Sequence, residues 1–198
     1  RAPSRHTNLA NLLTRYPGSL EQASGLVVMG GAVDVPGNVT GHAEFNFYSD
    51  PEAAKMVLSS GVPLTLIDLA ASRQVAIDRQ AARELKPRNN LGGLAAQLLN
   101  NWFRRDPGRQ RFFFHDPLAM AAAFDSTIVN TQNVQVAVET ADPVRLGESS
   151  ISRRPGLVGG VRQVDQDGFF RLFDDLMSPY QGAIQGHGWI QKILAPSA

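Results

Sequence analysis

The chain predicts an α/β fold, an open and mostly parallel sheet flanked by helices, and three observations carry that expectation. Short apolar runs stop at glycine or at a polar residue, as buried strands do on reaching a turn. Between them lie stretches with apolar residues every three or four positions, the spacing of one helix face. Polar residues able to do chemistry gather just beyond the strand ends, where open α/β sheets collect ligands. At 198 residues the chain fits one domain, expected over 1–177, with a tail or extension over 178–198.

Composition narrows the function classes. Hydrophobic residues make up 43% and charged residues 19%, ordinary for a soluble globular chain. A formal net charge of +1 offers no broad electrostatic footprint, so no nucleic acid is expected as a partner. There is no cysteine, which excludes disulfide and thiolate chemistry. No apolar run approaches the roughly 20 residues that span a bilayer. No membrane partner is therefore expected, and a soluble, cytoplasmic protein is the working assumption.

Taken in order, Leu9, Leu12, Leu13 and Tyr16 recur at i, i+3, i+4 and i+7 and predict a helix that Pro17-Gly18 ends. Read alone, Thr7-Asn8 is its cap. Leu26-Val27-Val28-Met29 is a short buried strand stopped by Gly30-Gly31. An extended segment is expected next, with Glu44 and Asn46 on one face and Phe45 and Phe47 on the other. Asp50-Pro51 reads as an N-cap followed by proline at the first helical position. Gly61 stops that helix, and Val62 to Leu69 is a second apolar strand.

From Ala70 to Ile77 no clean period appears. Helices are expected over 78–86 and 91–104, the second with Leu94, Leu98, Trp102, Ala95 and Leu99 on its apolar face. Arg104, Arg105, Arg109 and Arg111 surround Asp106-Pro107-Gly108, a solvated turn or an anion site. Phe112-Phe113-Phe114 predicts a strand that delivers His115-Asp116-Pro117 at its carboxyl end, and Asp116 before Pro117 reads alone as an N-cap. Alternation in Asn-Val-Gln-Val-Ala-Val-Glu-Thr predicts a strand around Val134 to Val138, and another is expected over 157–164. A helix follows over 165–177. Asp165-Gln166-Asp167-Gly168 opens it, since this run lacks the spaced acceptors and closing glutamate of an EF-hand.

Several separated motifs then fall in one order: Thr-Asn-Leu-Ala at 7–10, Met-Gly-Gly at 29–31, Pro-Gly-Asn-Val-Thr at 36–40, Ala-Glu-Phe-Asn at 43–46, Asp-Pro-Glu-Ala-Ala at 50–54 and His-Asp-Pro-Leu-Ala at 115–119. The series resembles the inosine–uridine-preferring nucleoside hydrolase family, and the resemblance runs from about residue 7 through residue 177. It implies a nucleoside-hydrolase-like α/β fold and Ca²⁺-dependent hydrolysis of a ribonucleoside to base and ribose. The family's usual Asp-Val-Thr is replaced here by Asp68-Leu69-Ala70, so base preference does not carry over.

Carried over by position, the resemblance makes Asp116 and the main-chain carbonyl of Thr7 calcium ligands. Asn38 and Glu44 would hold the 5′-hydroxyl end of the ribose, Asn46 its secondary hydroxyls, and Met29 would pack against the sugar. His115 would act as the acid that protonates the departing base. Read alone, Asn38 is a turn residue beside Gly37 and Glu44 a surface acid. The family's aspartate-rich motif, Asp-x-Asp-x-Gly-x-Asp-Asp, has no counterpart among the 198 residues. The resemblance therefore implies a fold missing its first strands, with the remaining ligands on a companion chain or lost segment. It also implies a homo-oligomer, as such enzymes are commonly dimers or tetramers. The competing expectation is a noncatalytic relative that uses the leftover pocket, or its surface, to bind a small molecule or a protein.

Overall fold

The computed structural model describes residues 5–21, 23–86, 90–152 and 154–177; the expected tail over 178–198 lies outside them. In chain order the elements are α1 (Arg5–Arg15), β1 (Leu26–Met29), α2 (Phe45–Ser49), α3 (Pro51–Leu58), β2 (Leu64–Ile67), α4 (Leu69–Ser72), β3 (Ala76–Asp78) and α5 (Arg79–Glu84). They continue with α6 (Asn90–Arg105), β4 (Arg111–Phe113), α7 (His115–Phe124), β5 (Val129–Val138), β6 (Ser149–Ser152), β7 (Val158–Val164) and α8 (Gln166–Met177). The described residues form two compact units, one drawn from Arg1–Ala76 with Phe113–Phe169, the other from Ile77–Phe112 with Phe170–Ala198.

The first unit holds a five-stranded sheet in the order β1-β2-β7-β5-β6. β1 pairs parallel to β2 in the register Val28↔Leu66, and β2 pairs parallel to β7 as Leu64↔Val158. β5 is antiparallel to both β7 and β6, so it alone runs against the other four strands. The mostly parallel sheet expected from the apolar runs is thus a mixed one with a single reversed strand. Its core joins Val28, Phe47, Ala54, Val57, Leu64, Leu66, Val138 and Val158, with Leu9 and Leu13 of α1 packed against it.

Local chemistry explains the helices on this sheet. Asp50 caps α3 by accepting from the Ala53 amide, and Pro51 needs no partner at the first helical position. Asp68 likewise accepts from the Ala71 amide, so the second apolar strand stops at Ile67 and Leu69 opens α4. The extended segment expected at 44–47 is instead the start of α2. Glu44 is the N-cap, and its carboxylate accepts from the Asn46 and Phe47 amides, closing a helical turn that alternation could not foresee. Glu44 and Phe47 then share the inward face while Phe45 is 56% exposed.

The triple-phenylalanine run supplies β4 as expected, and it pairs with β3 in a separate two-stranded sheet. Two further expectations are corrected. Asp116 is not the cap of α7: Phe114 takes that place, and Asp116 sits inside the first turn. The apolar face of α6 buries Leu99 and Phe103 but leaves Leu94 and Leu98 exposed, a stripe rotated from the expected one.

In the second unit α5 and α6 pack together, and Asn100 of α6 donates to the Ala82 carbonyl of α5 at 2.9 Å. The arginine turn is organised from α5. Arg79 donates to the carbonyls of Phe103, Asp106, Pro107 and Arg109 and lies over the Phe103 ring. Arg109 lies over Trp102, with 4.3 Å to the ring centroid, and donates to the Trp102 carbonyl. These two guanidinium groups are occupied by the loop, while Arg104, Arg105 and Arg111 face solvent.

Candidate functional site

β1 ends at Met29, and the turn after it is held by three side chains from elsewhere in the first unit. The Gly31 amide donates to Glu44 Oε2 at 3.1 Å, the Ala32 amide to Ser149 Oγ at 2.7 Å, and the Val33 amide to Asp68 Oδ2 at 3.3 Å. The two glycines fit this crowding. A Cβ on Gly30 would lie 2.4 Å from the Phe47 ring, and Gly31 has φ +83°, a conformation glycine adopts freely. Glu44, Asp68 and Ser149 are all buried. Burial pushes both carboxyls above their ordinary values, and the amides they accept from pull them back.

Beside this turn lies a hollow of about 230 Å³, lined by His6 and Leu9 of α1, Val27, Val28 and Met29 of β1, and Asp116, Ala119, Met120 and Ala123 of α7. Met29 and Asp116 thus face one space. Asn46 reaches the same strand end, its amide donating to the Met29 carbonyl at 3.3 Å and to its sulfur at 3.4 Å. Glu44 lies close enough for the Asp116 charge to act on it. Asn38 is one step removed: its Oδ1 accepts from the Phe45 amide at 2.9 Å, tying the loop to the top of α2. Thr7 is in the first turn of α1, next to His6, and its hydroxyl donates to Asp50 Oδ2.

His115 opens α7. Its Nδ1 is 2.7 Å from Ser72 Oγ, and Ser72 in turn donates to the Asp68 carbonyl at 2.8 Å. Burial lowers the His115 pKa, the positive Arg73 lowers it further, and Asp116 opposes both. Ser72, Asp68 and Ser149 were not singled out from the sequence. Asp68 had a readable signal, a carboxylate that accepts from the amide three residues on at the start of a helix, as Asp50 does. Ser72 and Ser149 had none, being serines whose partners lie far along the chain.

Ca²⁺ takes six to eight oxygens. Among the described residues no group of three or more His, Cys, Asp or Glu side chains could hold a metal. Asp116 and one carbonyl fall short of a shell, so the described residues do not by themselves fit the ion. No helix among them is long and apolar enough to cross a membrane.

Comparison with known proteins places these residues in context. A family model described as inosine–uridine-preferring nucleoside hydrolase matches residues 3–171. An uncharacterised protein of Schizosaccharomyces pombe is 32% identical over 180 residues, covering 84% of this chain and 56% of that protein. The pyrimidine-specific ribonucleoside hydrolase RihA of Shewanella oneidensis is 34% identical over 184 residues, covering 88% and 58%. Among solved structures, a purine-preferring ribonucleoside hydrolase from Gardnerella vaginalis superposes with a TM-score of 0.73 at 27% identity, covering 86% of this chain and 57% of that one. The plant nucleoside hydrolase PpNRh1 reaches 0.77 at 24% identity, covering 89% and 60%, a likeness of fold. The chain spans less than two thirds of the length of the curated relatives it matches.

Proposed function

Because the chain belongs to the inosine–uridine-preferring nucleoside hydrolase family, we propose that it forms the ribose- and base-facing part of a ribonucleoside hydrolase. The reaction would add water across the bond between C1′ of the ribose and the base nitrogen, giving free ribose and free base. As that bond breaks the sugar gains positive charge and the base negative charge, so a site must hold the hydroxyls rigidly and supply a proton to the base. The observation that carries the reading is the meeting of Met29, Asn46, Glu44 and Asp116 around one strand end.

In this reading the Met29 side chain is the apolar wall against the sugar, and Asn46, anchored through its amide nitrogen, offers Oδ1 to a ribose hydroxyl. Three of the roughly four acceptor positions of the Glu44 carboxylate are engaged by backbone amides, which leaves about one for the ribose. Asn38 keeps its amide nitrogen for the 5′-hydroxyl end, and His115 is the proton donor to the base.

A calcium ion would require carboxylates beyond the described residues, with Asp116 and the Thr7 carbonyl contributing to the shell. We place those carboxylates on a companion chain or segment bearing the family's aspartate-rich motif. β1 is an edge strand of the described sheet, and a strand added parallel to it would bring its carboxyl end to the same hollow.

The test is assembly. Mixing the chain with a polypeptide carrying that motif should produce calcium-dependent release of base from inosine or uridine, abolished by a chelator. In that assembly, His115→Ala should slow inosine more than a nitrophenyl riboside, whose leaving group needs no proton. No turnover with metal present would favour the second reading, a noncatalytic binding relative. Equal slowing of the two substrates would remove the acid role.

A further inference from the structure

Ser72 is fully buried at the end of α4, and its hydroxyl meets two polar atoms at once. One is the Asp68 carbonyl at 2.8 Å, which can only accept; the other is His115 Nδ1 at 2.7 Å. A serine hydroxyl has one proton. If that proton pointed at a bare Nδ1, the hydroxyl and carbonyl oxygens would face each other at 2.8 Å inside the protein with no hydrogen between them. If Nδ1 carries the proton, both contacts are hydrogen bonds and every group is satisfied.

We infer that Ser72 is a positioning residue that fixes the tautomer of His115, with Nδ1–H donating to the Ser72 oxygen and Nε2 left bare. The assignment follows from hydrogen-bond geometry within the first unit. Its catalytic meaning rests on the reading of His115 as the acid of the proposed hydrolase. A ring held this way hands a proton to a departing base only after Nε2 has taken one from solvent. The Nδ1–H bond to Ser72 then keeps the imidazolium in place, and Nε2 is bare again once the base leaves with the proton. His115 can rotate only by giving up that bond, so Ser72 also sets the direction in which Nε2 points.

The tautomer is measurable without substrate, metal or turnover. The full chain, labelled with ¹⁵N and held at about pH 8, where an ordinary imidazole is neutral, gives separate ring-nitrogen resonances for the two tautomers. The chain has four histidines, and His115 is identified by the signal that disappears in His115→Gln. The wild type should show the Nδ1–H pattern. Ser72→Ala should move the ring toward Nε2–H, exchanging the two nitrogen shifts, and Ser72→Thr, which keeps the hydroxyl, should retain the wild-type pattern.

An Nε2–H ring in the wild type overturns the inference, and that spectrum decides the matter even if Ser72→Ala fails to fold. An unchanged tautomer in a folded Ser72→Ala overturns it as well. An Nδ1–H ring in an assembly that releases no base would instead count against the hydrolase reading and leave this inference standing.

Discussion

Glu44 carries the sharpest stability prediction. Its carboxylate is 2% exposed and accepts from three backbone amides, Gly31, Asn46 and Phe47. Glu44→Ala leaves all three amides without this acceptor. The Gly31 amide is buried, and leaving such a donor without an acceptor costs about 1–3 kcal/mol. The Asn46 and Phe47 amides lose a helix cap, worth about 1–2 kcal/mol. The combined loss of roughly 2–5 kcal/mol is a large part of the ~5–15 kcal/mol that holds a domain folded.

Urea unfolding of the described chain should therefore show a lower midpoint for Glu44→Ala with an unchanged slope. Glu44→Gln keeps one acceptor oxygen and should fall between the two. The sign of the pH effect is also set. Burial raises the Glu44 pKa above 4.5 in the folded protein, so the folded state holds this proton more tightly than the unfolded chain. Its contribution is greatest below 4.5 and is lost as pH rises through the raised value. The stability difference between wild type and Glu44→Gln should shrink across that window as pH increases. A loss under about 1 kcal/mol for Glu44→Ala, at the level of an exposed substitution, would refute the idea that this carboxylate holds the turn after β1.

Two other substitutions probe the same packing and its counterpart in the second unit. Gly30→Ala puts a methyl group 2.4 Å from the Phe47 ring and should destabilise by about 1–3 kcal/mol; thermal melts should show part of that loss recovered in Gly30→Ala with Phe47→Leu. Arg79→Lys cannot reproduce a planar fork donating to four carbonyls. Hydrogen exchange over 103–109 should accelerate at least tenfold in that variant, while exchange in β1 and β2 stays as it was. For the ligand site, Asn46→Ala in the assembled enzyme should raise KM for uridine and leave the unfolding free energy within about 0.5 kcal/mol of wild type. A large stability loss would instead make Asn46 a support for Met29 and no more.

Much of the fold was legible because its signals are local. Leu26 to Met29 ends at glycines, Asp50-Pro51 opens a helix, and Asp165 caps the Gly168 amide at the start of α8, as the neighbouring residues alone indicate. Where the reading went astray, a distant partner had overruled a local pattern. Alternation at 44–47 suggested an extended segment, but Glu44 finds Gly31 across 13 positions and closes a helical turn instead. Asp116-Pro117 looks like a cap, yet the Phe114 amide donates to the Val75 carbonyl and the helix begins two residues earlier than that cap implies, at His115. The face of α6 was judged from period alone, and its orientation depends on what α5 and the arginine turn place beside it.

The residue types of the candidate site, and the family they belong to, stand in the sequence itself, because motif spacing survives without knowledge of how the chain returns on itself. That Met29 and Asp116 face one hollow, that β5 runs against its neighbours, and that Ser72 reaches His115 across 43 positions were decided by tertiary structure alone. The physical reason is that turns and caps are set by atoms a few bonds apart. Strand order and convergent side chains depend instead on which distant surfaces bury each other, and no local period records that choice.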